Sequence, residues 1–464
     1  MDNNKKNNNV ETGKKLFRFV SSVVLVVILA TLFGVMWYGK LRNLMESSQR
    51  YYSIGNYLVI FLYAIFIVLL LNTFKGFNFG SSRISILSMS QAIAMGVVNM
   101  IEFFLVLLIV GIKNHTWKIL GFLVILSMMD AVAVLIVTYI STKLYRVKFP
   151  PFSILNIYGE YENDLVIKMN RRADKYCITG EISCNEPIEK ITKELENYDA
   201  VLINDVPSEI RNDIIKACFD SGKRVYFTPK ISDILIKGSD DVDLFDTPLY
   251  LCKNVGMDGI SATLKRTGDI IISLLALIVG AIPMIIVAVL IHKYDGGPVF
   301  YKQTRCTIGG KEFQILKFRS MIVDAEKDGK ARLASENDDR ITPIGHFIRA
   351  TRIDELPQFI NILKGEMSFV GPRPERPEII KEYVKEVPEF AFRTHVKAGL
   401  TGYAQVYGKY NTTSLDKLKL DMIYVEKCSV LLDIQLILMT IRVIFTKDAT
   451  EGVAEGETNA NVHK

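Results

Sequence analysis

Asp354 and Glu355 stand side by side in a stretch crowded with cations: Lys317, Arg319, Arg340, Arg349, Arg352, Arg373 and Arg376. The pair opens DELPQFINILKG, which reads as an amphipathic helix. Carboxylates at a helix N-terminus are favoured by the macrodipole, so the pair alone specifies no chemistry. Successive helical positions point about 100° apart. Two adjacent carboxylates therefore do not share a proton, and they suit separate jobs, one attacking phosphorus and the other holding a metal ion. Arginine grips phosphate through its planar fork. Several arginines near one acidic pair fit a site that takes a pyrophosphate and keeps an attacking carboxylate ionised. Gly371–Pro377 (GPRPERP) is a stiff turn whose prolines hold Arg373 in place. Fixed charge of this kind supplies most of the catalysis in phosphoryl transfer.

The elements around this stretch include a membrane part. Apolar residues make up 49% of the 464-residue chain, and the mean hydropathy is positive, which is rare in a wholly soluble protein. Four apolar runs, Leu16–Tyr38, Tyr57–Phe74, Gln91–Ile112 and Ile119–Ile140, are each near the roughly 20 residues that span a bilayer. The third carries Glu102 and the fourth Asp130. A carboxylate at that depth reads either as functional or as a helix–helix hydrogen bond. Residues 1–15 read as a cytoplasmic tail without a cleavable signal. Lys5, Lys6, Lys14, Lys15, Arg18, Lys75, Arg83, Lys143, Arg146 and Lys148 fall on one side of the four-helix region (16–143). Only Lys40, Arg42, Arg50, Lys113 and Lys118 fall on the other. The richer side is the cytoplasmic one, which puts everything after Lys143 there.

The net charge of +6 suits anionic lipid and phosphate-bearing substrates and is too weak to imply nucleic acid. The six cysteines are scattered with no CxxC pair, so they read as reduced, mostly buried thiols. Residues 150–253 alternate apolar runs (ILNIYG, YDAVLIND, RVYFTP) with helical segments, which predicts a small, degenerate Rossmann-like α/β domain with a parallel sheet. No GxGxxG follows the first strand, where only Gly159 stands, so a structural or regulatory spacer is expected in place of a nucleotide site.

A fifth apolar run, 270–291, has Pro283 in its middle. Proline removes a backbone donor and kinks a helix, so the run is either a kinked span or a helix broken at Ile282–Pro283 that enters one leaflet and returns. Near the C-terminus, SVLLDIQLILMTIRVIF is short and interrupted by Asp433 and Arg442, which predicts a helix lying on the membrane. The tail 448–464 is polar and reads as disordered.

KRTGD (Lys265–Asp269), GPVFYKQTRCTIGGKEFQILKFRSM (Gly297–Met321), TRIDELPQFINILKGEMSFVGPRPE (Thr351–Glu375) and AGLTGYAQVYGK (Ala398–Lys409) together resemble the bacterial sugar transferase family, the polyprenyl-phosphate hexose-1-phosphate transferases or monotopic phosphoglycosyl transferases. The resemblance covers Lys265 to about Lys447, and the architecture before it looks like that of the large members. It implies a mixed, mainly α catalytic domain at 262–447 with a re-entrant membrane helix at 270–291, resolving Pro283 as its break.

Carried over by position, the resemblance makes Asp354 the nucleophile on the β-phosphorus of a UDP-hexose. It makes Glu355 a ligand of Mg²⁺, and Arg349 and Arg373 phosphate-binding, with Lys317 and Arg319 in the same region. The implied product is UMP, the acceptor undecaprenyl phosphate, and the course ping-pong through an aspartyl-phosphosugar. Implied as well are a multi-pass protein of the bacterial inner membrane, with its catalytic domain on the cytoplasmic face, and a homodimer. Tyr403 stands near a position where the family commonly has Trp, and Lys409 replaces a common Arg. The rival readings are a glycosyltransferase that releases UDP and a non-catalytic scaffold or sensor for polysaccharide assembly.

Overall fold

The computed structural model describes residues 2–44, 54–110, 116–159, 163–244, 246–252, 256–323, 338, 340–408 and 412–444. The tail 448–464 and Lys409 lie outside them. The chain divides into two compact units, Met1–Thr228 and Pro229–Lys464.

The first unit opens with α1 (Asp2–Met36), α2 (Ile54–Thr73), α3 (Ile84–Val110) and α4 (Thr116–Lys148). Residues 1–15, read from the sequence as a cytoplasmic tail, are helical from Asp2 onward. Each helix buries a stripe at helical spacing, such as Leu25, Leu29 and Phe33 on α1 and Val59, Tyr63 and Ile67 on α2. Its outward face is apolar as well, with Phe19, Val23 and Val27 exposed on α1. Helices apolar all round belong in a lipid surround.

The interior of the bundle is joined by polar bonds, as membrane helices commonly are. Tyr63 donates to Asn99 Oδ1 at 2.7 Å, and Asn99 donates to Asp130 Oδ2 at 2.9 Å. Trp37 donates to Asn56 at 2.9 Å. Asp130 therefore makes the helix–helix bond that was one of its two readings. Glu102 is also buried, inside the same bundle.

Next come β1 (Phe152–Tyr158), α5 (Leu165–Asn170), β2 (Tyr176–Ser183), α6 (Ile188–Leu195), β3 (Ala200–Asn204), α7 (Ser208–Asp220) and β4 (Arg224–Phe227). The strands form one parallel sheet in the order β2-β1-β3-β4. The two-residue period of β1 and β3 sends Leu155, Ile157, Val201 and Ile203 to one buried face. Ile154, Ala200 and Leu202 go to the other. The expected parallel sheet is present, and β2 is a strand that apolar runs did not reveal.

The second unit begins with α8 (Ile231–Lys237) and the antiparallel hairpin β5 (Asp240–Leu244) and β6 (Thr247–Leu251). The long helix α9 (Gly259–Asp295) follows, and then the antiparallel hairpin β7 (Phe300–Cys306) and β8 (Glu312–Phe318). The remaining elements are α10 (Pro343–Ala350), α11 (Gln358–Lys364), β9 (Ser368–Val370), α12 (Pro377–Glu386), β10 (Gly399–Thr401), α13 (Tyr403–Tyr407), α14 (Ser414–Lys427) and α15 (Val430–Ile444). Residues 229–251, expected with the α/β domain, fall in this second unit. The physical reason is that Ile234 of α8 joins a buried cluster with Leu418 and Met422 of α14.

Helix α9 is one continuous α-helix through Pro283, not two helices broken there, and contacts on both sides of the proline tie it to the rest of the second unit. Lys265 donates to the Val370 carbonyl at 2.9 Å and pairs with Asp433 at 2.6 Å. Asp269 accepts from Ser368 Oγ at 2.8 Å and the Phe369 amide at 3.0 Å. Past the proline, Val287 and Ile291 share a core with Phe318 and Ile348, and Asp295 pairs with Arg319. The opposite face exposes Ile271, Leu275, Ile278, Val279, Ile282 and Ile286. Lys265 and Arg266 thus tether the helix, Arg266 donating to the Ile362 and Leu363 carbonyls at 2.6 and 2.7 Å.

On α15, Asp433 is buried toward Lys265 and Tyr424, and Leu431, Ile434 and Ile441 are exposed. All six cysteines are free, Cys177 and Cys252 on the surface. Among the described residues five helices are long and apolar enough to cross a membrane, namely α1 with the turns after it, α2, α3, α4 and α9, and the chain is a membrane protein.

Candidate active site

Three local structures converge on the acidic pair. The first is β8, whose alternation puts Phe313 and Ile315 into a core shared with α11. Lys317 follows on the same face, where that core ends. The second is the connection from α10 to α11. Thr342 caps α10, accepting from the Gly345 amide at 2.9 Å, and Pro343 occupies the first turn. The chain then reverses at Arg352, which is left-handed at φ 59°. Only a small share of non-glycine residues adopt this conformation, and it costs on the order of 1 kcal/mol.

Asp354 and Glu355 lie in the short 3₁₀ turn that results (Ile353–Glu355), ahead of α11. Sequence reasoning had put them in the helix itself. The third structure is the GPRP turn. Gly371 donates to the Thr401 carbonyl at 2.8 Å and Gly399 to the Pro372 carbonyl at 2.9 Å. A Cβ on Gly371, Gly399 or Gly402 would strike main-chain atoms, so three glycines permit this backbone crossing.

The pair is unequal. Glu355 Oε1 accepts from Lys317 Nζ at 2.9 Å and from Arg373 Nη2 at 2.9 Å. Burial alone would raise its pKa, but Lys317, Arg373 and Arg352 outweigh it and hold this carboxyl far below the usual range. Asp354 is buried, and its Oδ1 has no hydrogen-bond partner among the described residues. Burial first, and then the charge of Glu355, push its pKa up against the pull of Lys317, Arg352 and Arg349.

Lys317 and Arg373 are therefore brought onto Glu355, and Arg349 and Arg352 act on Asp354 through their charge. Arg319 is not brought to the pair. It is buried and held by Asp295. Arg340 pairs with Asp338. Tyr403 packs against Tyr407 with tilted rings whose centroids are 4.5 Å apart, beside the core of Val406 and Met439. Among the described residues no group of three or more His, Cys, Asp or Glu could hold a metal ion.

One residue that sequence reasoning passed over is Glu375, although it stands in the GPRPE string. It pairs with Lys417 and lies 3.6 Å from Arg305 and 3.7 Å from Arg393. Burial raises its pKa, and Lys417, Arg393 and Arg305 more than reverse this, bringing it to about 2 from an ordinary 4.5. A carboxyl depressed in the folded state contributes stability that is present above its unfolded pKa and lost as pH falls through the folded one. The window is therefore pH 4.5 down to 2, and the contribution is on the order of 3 kcal/mol. Thermal unfolding of the detergent-solubilised protein at pH 6 and pH 3 is expected to show a steep acid loss. Glu375→Gln should be less stable at pH 6 and flatter between the two. An unchanged slope in that variant would show that the stability lies elsewhere.

Residues 260–447 match the bacterial sugar transferase family. The chain is 38% identical over 211 residues to a UDP-glucose:undecaprenyl-phosphate glucose-1-phosphate transferase of Klebsiella pneumoniae, covering 44% of this chain and 43% of that protein. It is 40% identical over 190 residues to a UDP-N-acetylgalactosamine-undecaprenyl-phosphate N-acetylgalactosaminephosphotransferase of Aeromonas hydrophila, covering 40% and 45%. With a UDP-glucose:undecaprenyl-phosphate glucose-1-phosphate transferase of Caulobacter vibrioides it is 37% identical over 191 residues, 40% of this chain and 70% of that protein. The chain belongs to the bacterial sugar transferase family. It spans under half the length of the first two of these relatives.

Proposed function

We propose that the chain transfers a hexose 1-phosphate from a UDP-sugar to undecaprenyl phosphate, releasing UMP through a phosphosugar carried on Asp354. This would start assembly of a capsular, exopolysaccharide or O-antigen-type glycan. The observation that carries the reading is the division within the pair, where Glu355 is committed to two cations while the buried Asp354 Oδ1 has no hydrogen-bond partner among the described residues.

An Asp354 oxygen attacks the β-phosphorus, the bond from that phosphorus to the bridging oxygen breaks, and UMP leaves with the electron pair. An oxygen of the lipid phosphate then attacks the same phosphorus. The aspartyl–phosphorus bond breaks and Asp354 returns as a carboxylate. Arg349, Arg352, Lys317 and Arg373 neutralise the pyrophosphate and hold it in line, which is where most of the rate in phosphoryl transfer originates.

Magnesium is held by one or two carboxylates completed by substrate phosphates. Of the pair, Glu355 would hold the ion, which leaves the Asp354 oxygen without a hydrogen-bond partner among the described residues free to attack. When bound, it would polarise the phosphoryl oxygens. The loop charges favour a multi-pass protein of the bacterial inner membrane with this site in the cytoplasm. The names of the relatives cover both glucose and N-acetylgalactosamine, and a homodimer remains part of the proposal.

The test is a nucleotide-release assay in inverted membrane vesicles with undecaprenyl phosphate, Mg²⁺ and a panel of UDP-sugars. UMP is expected from one of them, with the activity latent in sealed right-side-out vesicles. UDP as product would mean direct glycosyl transfer. No turnover with any sugar would restore the scaffold reading.

A further inference from the structure

Arg373 has prolines on both sides, so neither neighbour has an amide to anchor its main chain. Its carbonyl is held from elsewhere. Arg393, in the 3₁₀ stretch Pro388–His395, donates Nη2 to the Arg373 carbonyl at 2.9 Å. The same Nη2 lies 2.7 Å from Asp421 Oδ2 on α14. Arg393 is 3% exposed and Asp421 wholly buried. Arg305 continues the clamp by donating to the Pro374 carbonyl at 3.1 Å, and the Cys306 amide donates to the Glu375 carbonyl at 3.0 Å. Consecutive carbonyls of Arg373, Pro374 and Glu375 are thus held by three donors from outside the turn. A cavity beside them, lined in part by Thr307, Arg373, Glu375 and Arg393, is about 10 Å³, room for at most one water.

Burying an ion pair such as Arg393–Asp421 does little for stability, because well-packed apolar side chains do as well. Its geometric effect is specific. We infer that Arg393, fixed by Asp421, is a positioning residue that holds the Arg373 carbonyl and so keeps the Arg373 guanidinium on Glu355. The inference rests on the reading of Arg373 as part of the phosphate site.

Two measurements test it. In the nucleotide-release assay, Arg393→Lys and Asp421→Asn should each lower kcat/KM for the UDP-sugar by about 10-fold or more. In an Arg373→Ala background, adding Arg393→Lys should cost less than about 2-fold, because the residue through which it acts is gone. Losses that multiply would mean a merely structural role and overturn the inference. Where Arg393→Lys fails to fold, the near-isosteric Asp421→Asn completes the cycle. The second measurement needs no turnover. Hydrogen exchange at the Cys306 amide, which donates to the Glu375 carbonyl, and at the Gly399 amide, which donates to the Pro372 carbonyl, should quicken in either clamp variant while α11 stays unchanged. Unchanged exchange at these amides, or a uniform rise, overturns the inference. A wild-type protein that turned over no sugar nucleotide would refute the proposed function and leave the exchange result to decide this one.

Discussion

Asp354→Asn is expected to cut turnover by on the order of 10³-fold or more, because in the proposed reaction it removes the covalent nucleophile, which eliminates the path and not one contact on it. The readout is UMP release together with intact-protein mass spectrometry after mixing with UDP-sugar and no lipid acceptor. Wild type should gain a hexose-phosphate adduct, and the variant none. Burial and Glu355 raise the pKa of Asp354, so its ionised form is disfavoured by the fold. The amide removes that cost, and the variant should unfold at the same temperature as wild type or higher. The shift also sets the acid limb of the rate. The attacking form is the carboxylate, so wild-type turnover should fall as pH drops through the raised pKa. An adduct on the variant, or on another side chain of the wild type, would end the assignment.

The parts of this molecule that were legible beforehand are those encoded locally. Composition alone marks α1 to α4, because in a bilayer the solvent requires a long apolar run and little else. The candidate site was legible as a cluster for a similar reason. Asp354, Glu355 and Arg373 lie in short strings that mark them as a group, and the fold brings Arg373 onto Glu355. What escaped depends on partners distant in sequence. Arg319 reads like any other cation beside the acidic pair, and only the packing of α9 reveals that it meets Asp295. Pro283 predicts a break because an isolated helix has no means to resist one. Here α9 is continuous, and contacts before and after the proline tie it to the second unit.

Two further misses concern strand and turn chemistry. Strand β2 (YCITGEIS) sits at the sheet edge and alternates exposed with half-buried residues, so it lacks the apolar run that announced β1 and β3. The left-handed Arg352 that turns the pair out of α11 has no signature, since arginine shows no preference for that conformation. Arg393 and Asp421 carry no motif at all, and only their distances give them a role.

Glu355→Gln should be inactive in a different way. The carboxylate is the shared acceptor of Lys317 and Arg373, and an amide keeps one oxygen but loses the charge that balances both. Breaking a buried ion pair from one side costs about 3–5 kcal/mol. Arg373 keeps 38% of its side chain in solvent and Lys317 21%, so about 1–3 kcal/mol is the appropriate range here. Turnover should fall roughly 10²- to 10³-fold, because the cations proposed to face the pyrophosphate lose the group that orients them. The Mg²⁺ titration should shift to higher concentration if Glu355 is also a ligand, and an unchanged titration would confine it to orienting the cations. Thermal unfolding separates the two variants. Asp354→Asn removes a carboxylate that the fold disfavours, and Glu355→Gln removes one that the fold strongly favours. The first should be inactive at undiminished stability and the second inactive at reduced stability. Equal unfolding temperatures would mean that the two carboxylates do not divide the labour in this way.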